Sequence, residues 1–185
     1  MSRTSRAQFR LPTHLKNSDT PTPARFDNQL CHGQWYLLRT SNQYWKDKLN
    51  IRTECLPTGS DCFFYQVKSG GAVKTMKWNT KAVEGEMATF VSQGTGLMRL
   101  IGAKWEVIGW SNPVVLDGES QPGGPAWQVG YQHGTLLTSA AINVSCREPG
   151  RISEEDWTAI EHWLAGIEDE GFRRAVEELF TVTHE

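Results

Sequence analysis

From Gly33 onward, short apolar runs alternate with clusters of turn residues. The runs are 34–40 (QWYLLRT), 49–56 (LNIRTECL), 62–68 (CFFYQVK), 73–80 (VKTMKWNT) and 86–93 (EMATFVSQ). They continue with 96–102 (GLMRLIG), 104–110 (KWEVIGW), 126–132 (AWQVGYQ) and 136–146 (LLTSAAINVSC). Several keep a period of two: Met76 and Trp78 against Lys77 and Asn79, Trp105 and Val107 against Glu106, and Trp127, Val129 and Tyr131 against Gln128 and Gln132. That period puts alternate side chains on opposite faces, so the runs read as strands. Between them PTGSD, KSGGA and SQGTG supply hairpin glycines. Eight or nine strands in succession predict a mainly β protein, a single antiparallel up-and-down meander of about eight strands. Closing it into a barrel removes the exposed edges. Segment 111–126 is long and rich in Pro and Gly, and reads as a loop or lid at the open end.

After residue 150 the period changes. Ser153 reads as an N-cap with Asp156 three residues on, and Trp157, Ile160, Trp163, Leu164 and Ile167 form an i, i+3, i+4 stripe. This predicts an amphipathic α-helix packed outside the barrel, with a further turn or two through FRRAVEELF. The chain then divides into a disordered or targeting arm (1–25), a barrel (26–147) and a helical segment (148–185).

A length of 185 residues fits one domain. Seventeen glycines and eight tryptophans suit short strands with bulky aromatic filling. The net charge of −2 argues against nucleic acid as a partner, and no apolar run approaches the ~20 residues of a membrane span. Residues 1–25 carry five bases and one acid, whereas 148–185 carry eleven acids and three bases, an acidic tail that reads as a solvated face. The first 25 residues lack the apolar core of a secretory signal, which predicts a cytoplasmic protein. Their Arg, Ser and Thr content also suits a mitochondrial address. Pro12, Pro21 and Pro23 favour a disordered arm whose removal leaves the fold unchanged. Cys31, Cys55, Cys62 and Cys146 then read as reduced thiols with no zinc spacing, although Cys55 and Cys62 have room to face each other across a hairpin. Asn143 opens a glycosylation sequon that matters only on export. There is no nucleophile elbow, P-loop or G-x-G-x-x-G ahead of a helix, so no cofactor and no metal are expected.

With its elements in order the chain resembles the lipocalins, a branch of the calycin barrels. The match rests on Gly33-x-Trp35 in the first strand, the meander, and a last strand that runs into Arg147 and then a capped helix. The Thr-Asp-Tyr usual near the sixth or seventh strand is replaced by IGWSN and VGYQH. The resemblance implies a structural floor in which Gly33 lets the chain bend, Trp35 fills the barrel end and Arg147 stacks over it. It also implies that the barrel holds one small lipophilic molecule.

The ligand-lining candidates are Tyr65, Met76, Trp78, Phe90, Trp105, Trp110, Trp127 and Tyr131, although aromatics at this spacing also pack solid cores. Arg39, Gln43 and Tyr44 read as polar groups at the mouth. His133, Arg39 and Tyr131 are the weak catalytic candidates. The expected function is an intracellular carrier of a hydrophobic, aromatic or polyene molecule. The alternative is a cofactor-independent cyclase of Diels–Alder or hetero-Diels–Alder type in natural-product biosynthesis, which needs a shaped pocket and little functional-group chemistry.

Overall fold

A computed structural model describes residues 7–17, 20, 26–111, 126–135, 138–150 and 152–185. The strands are β1 (Ala7–Phe9), β2 (Gly33–Thr40), β3 (Leu49–Cys55), β4 (Ser60–Gln66), β5 (Lys74–Ala82), β6 (Thr89–Gly94), β7 (Gly102–Ser111), β8 (Trp127–Gln132), β9 (Ala141–Cys146) and β10 (Phe180–Thr181). Two helices, α1 (Glu154–Ala165) and α2 (Glu170–Glu177), lie between β9 and β10. Each strand from β2 to β9 pairs antiparallel with the next, and β9 returns to β2 through Tyr36–Cys146 and Thr40–Asn143. The result is a closed, eight-stranded up-and-down barrel with extra strands outside.

One end is sealed around Gly33. With φ of 96° it occupies backbone space that disfavours other residues, and a Cβ there would lie 2.8 Å from the Arg147 guanidinium. The opposite end, formed by the β2–β3, β4–β5, β6–β7 and β8–β9 connections, is the mouth. Run 96–102 is not a strand of its own: up to Ile101 it is the β6–β7 connection, with a single 3₁₀ turn at Gly96–Met98, and Gly102 opens β7. Its apolar residues made it read as one, yet Leu97 and Leu100 stand in solvent. The expected lid lies outside the described residues over 112–125. Its anchors Ser111 and Ala126, joined by a 2.7 Å hydrogen bond, belong to the sealed end rather than the mouth.

The helices cover one side of the barrel. The Ser153 hydroxyl accepts from the Asp156 N–H and the Asp169 carboxylate from the Phe172 N–H, which starts α1 and α2. Ile160, Leu164 and Phe172 are buried against Val129, Ile142 and Val144 of β8 and β9. The chain then returns to the barrel. β10 pairs with Thr40 and Arg39, the Val182 N–H donates to the Leu38 carbonyl, and the Asn50 N–H donates to the Thr183 carbonyl. Residues 180–183 thus sit between β2 and β3 where those strands diverge.

The arm departs from expectation. β1 pairs with β7 from Phe9–Gly109 to Ala7–Ser111, on the edge that β6 leaves open, and a Cβ on Gly109 would lie 2.8 Å from the Phe9 ring. Phe9 stacks on Trp163 at 4.9 Å. Arg10 is buried 2.9 Å from Glu106, with side-chain exposures of 1% and 0%. Glu106 also accepts from the Thr13 hydroxyl at 2.7 Å and meets His133 Nε2 at 2.6 Å. Residues 7–17 are therefore a strap held by a desolvated carboxylate, not a free arm.

Burial alone pushes the Glu106 carboxyl up. Hydrogen bonds from His133 and Thr13 and the Arg10 charge outweigh it and bring the carboxyl from 4.5 down to about 2. A folded value below the unfolded one gives stability that is complete above about pH 5 and is lost as pH falls towards 2. The difference is on the order of 3 kcal/mol. Thermal unfolding between about pH 6 and 2 should show this loss, and Glu106→Gln should flatten it. A variant with the same pH slope as the parent would exclude Glu106 as the cause.

Candidate functional site

The barrel encloses a cavity of about 450 Å³. It is hollow because the inward positions of β8 and β9 carry small or polar side chains, Gln128, Gly130, Asn143 and Ser145, and β7 adds Ala103. The larger apolar residues of β8 and β9 point the other way, under the helices.

The floor is Trp35, whose indole N–H donates to the Cys31 carbonyl at 2.7 Å. Arg147 lies over the ring at 3.7 Å and donates to the carbonyls of Leu30 and Gln34. A guanidinium desolvated on an indole contributes about 2 kcal/mol and closes the end to water.

Above the floor the cavity has two unlike sides. The apolar side comprises Leu37, Trp45, Phe63, Met76, Trp78 and Trp105. Trp45 stacks on Phe63 at 5.6 Å, and Trp105 on Phe90 at 4.3 Å while its N–H donates to Ser92. The polar side is an amide strip of Gln128, Gln132, Asn143 and Asn42. Thr40 donates to Asn143 Oδ1 at 2.7 Å and Asn42 to Gln132 Oε1 at 3.4 Å, which fixes how these amides face the cavity. Deeper down is Asp61, whose carboxyl is pushed up by burial against hydrogen bonds from Thr80 and the Leu56 N–H. At the mouth the Tyr44 and Tyr65 hydroxyls lie 3.3 Å apart, and burial with that contact pushes Tyr44 up to about 12. A second hollow of about 300 Å³, between β5 and the β6–β7 connection, shares Met76, Trp78 and Met98 with the first.

Among the expected lining residues, Met76, Trp78 and Trp105 face the cavity. Phe90 backs Trp105, and Tyr65 packs with Trp45 beside the mouth. Trp110 belongs instead to the floor core, 5.0 Å from Phe26. Trp127 lies outside the barrel wall beneath Phe9, and Tyr131 borders the cavity but stacks its ring on Phe172 and His14. The alternation in β8 is as read, but its apolar face is the one the helices cover. The three catalytic candidates share this fate: His133 pairs with Glu106 on the outer face, and Arg39 pairs with Glu161 at 2.7 Å and covers Trp157. Of the expected polar mouth groups, Tyr44 lines the opening and Gln43 folds back onto the Ser41 carbonyl.

Sequence reading missed Trp45, which reaches inward from a 3₁₀ turn, and Asp61 and Phe63 of β4, which period-two counting back from the expected Tyr65 through SDCFFYQ would find. Cys62 pairs with Glu54, which places Cys55 and Cys62 on opposite faces of the hairpin, and no disulfide joins any of the four cysteines, all of them described residues. The Asn143 side chain faces inward, out of reach of glycosylation in the folded chain. Among the described residues no three His, Cys, Asp or Glu side chains cluster as metal ligands, and no helix is long and apolar enough to cross a membrane.

No protein-family model matches the sequence, and no curated protein matches it. Solved structures do. Insecticyanin from the tobacco hornworm Manduca sexta superposes with a TM-score of 0.59 at 10% identity, covering 86% of this chain and 82% of that one. Lobster apocrustacyanin A1 gives 0.55 at 9%, covering 85% and 79%. LTBP1, solved in complex with LTC4, gives 0.55 at 13%, covering 88% and 89%.

Proposed function

We propose that this chain, which has the lipocalin fold, binds one small, flat, mostly apolar molecule in its barrel. The body of the ligand lies against Trp35, Trp78 and Trp105, and its few polar atoms meet Gln128, Gln132 and Asn143. The observation that carries this reading is the division of one 450 Å³ hollow into an aromatic side and an amide side. That volume suits a single small ligand, and apolar burial at ~25 cal/mol per Å² supplies affinity without any reactive group. The same fold in LTBP1, solved with leukotriene C4, supports a lipophilic ligand.

Asp61 favours a second reading, the cofactor-independent cyclase. A cavity that holds a polyene folded brings its reacting carbons together, and a buried carboxyl while it carries its proton, which burial favours, or a glutamine amide can donate a hydrogen bond to the charge that develops. A carrier returns its ligand unchanged. A cyclase returns an isomer whose stereochemical ratio changes in Asp61→Asn or Gln128→Leu.

Titration with a polyene fatty acid such as parinaric acid should quench tryptophan fluorescence. Trp105→Ala should weaken binding about tenfold, or about 1.4 kcal/mol, whereas Tyr131→Ala, whose ring faces the helices, should leave the affinity unchanged. Fluorescence that no member of a broad lipophilic panel quenches would overturn both readings.

A further inference from the structure

We infer that the mouth of the barrel is a docking surface for an anionic lipid bilayer. Among the described residues most of the exposed large apolar side chains are there. Leu97, Leu100 and Ile101 stand out from the β6–β7 connection, Val67 and Val73 from the β4–β5 hairpin, and Tyr44 from the β2–β3 connection. Leu97 is fully exposed and Leu100 90% exposed, so neither contributes to the fold. Apolar tips with no partner within the chain have their place in a binding surface.

Charge identifies the partner. The mouth segments 41–48, 67–74 and 95–101 carry Lys46, Lys48, Lys68, Lys74 and Arg99 against the single acid Asp47. Most of the other acids lie elsewhere: Asp27, Glu54, Asp61, Glu84 and Glu86 at the sealed end and eleven in 148–185, of which Glu185 reaches Asn50 at the mouth end of β3, in a chain whose net charge is −2. Its positive pole therefore coincides with its apolar tips. Leucines that enter the headgroup layer while lysines and arginine meet lipid phosphates are how peripheral proteins hold an anionic surface. In that orientation the cavity opens onto the bilayer. The smaller hollow, with Lys77 and Thr95 on its edge, opens beside the inserted leucines. Docking stands on these rim residues alone and does not depend on a cavity ligand.

The test is flotation of the full chain, with no cavity ligand, on phosphatidylcholine vesicles with and without phosphatidylglycerol. Binding should require the anionic lipid and should collapse between about 0.1 M and about 1 M salt, as the screening length shrinks. Leu97→Ser with Leu100→Ser, and separately Lys68→Glu with Arg99→Glu, should each lower partitioning about tenfold or more. Lys81→Glu with Val91→Ser supplies the control: these cross-strand neighbours on the outer wall are also exposed but lie away from the mouth. Circular dichroism checks that every variant is folded. Failure of the full chain to float with anionic vesicles, equal binding to neutral ones, or equal loss in the wall variant would overturn the inference. So would a dimer, seen by sedimentation, that Leu97→Ser dissociates, because the rim would then join two copies of the chain.

Discussion

Removing residues 1–17 should destabilise the barrel by about 3–5 kcal/mol, the usual cost of leaving one member of a buried ion pair without the other. Glu106 is wholly buried on the outer face of β7, and Arg10 and Thr13 from the strap supply most of its partners. Without them the carboxylate must be hydrated by opening the wall or become protonated. Urea unfolding measures the effect. Arg10→Met in the full-length chain should reproduce most of it, whereas Arg10→Met combined with Glu106→Leu should recover much of the loss, since an apolar pair can replace a buried ionic one. A truncated chain with the parent's unfolding free energy would show that the strap is decorative.

Trp35→Ala should cost a similar 3–5 kcal/mol. The indole is 2% exposed and stands between the cavity and Arg147. Its loss opens a void and leaves the guanidinium without its ring. Arg147→Ala should cost less, about 0.5–2 kcal/mol for the cation–π contact, and in the double variant the two losses should not add. Thermal melts of the three variants decide this. If Trp35→Ala melts with the parent, the floor does not hold the barrel closed.

The meander was legible because each strand carries its own alternation and turn glycines, and the floor was legible because Gly33 and Trp35 stand two residues apart at the start of the first barrel strand. The division of β8 was not. Trp127, Val129 and Tyr131 mark an apolar face, but alternation cannot say whether the cavity or a helix will cover it. Here α1, α2 and the strap take the apolar face, and the cavity receives Gln128 and Gln132. The strap was hidden for a related reason. Its strand has three residues, and its anchoring arginine reads as surface charge until Glu106 and Val107, the latter 97 positions away, come beside it. Run 96–102 misled in the opposite sense, because an apolar stretch implies burial only where the chain provides something to bury it.

Residues 180–185, placed between β2 and β3, have a consequence for the order of assembly. Neighbouring strands can zip as hairpins while synthesis proceeds, since their contacts are local and fast to form. The wall beside Leu38 and Asn50 cannot. His184 meets the Leu37 carbonyl across 147 residues of sequence, and it leaves the ribosome after all eight barrel strands. Until then the N–H of Asn50 and the carbonyls of Leu37 and Leu38 have only water or another chain to bond with. A nascent barrel thus carries a short open seam, and translation, rather than the hairpins, sets the moment at which it shuts.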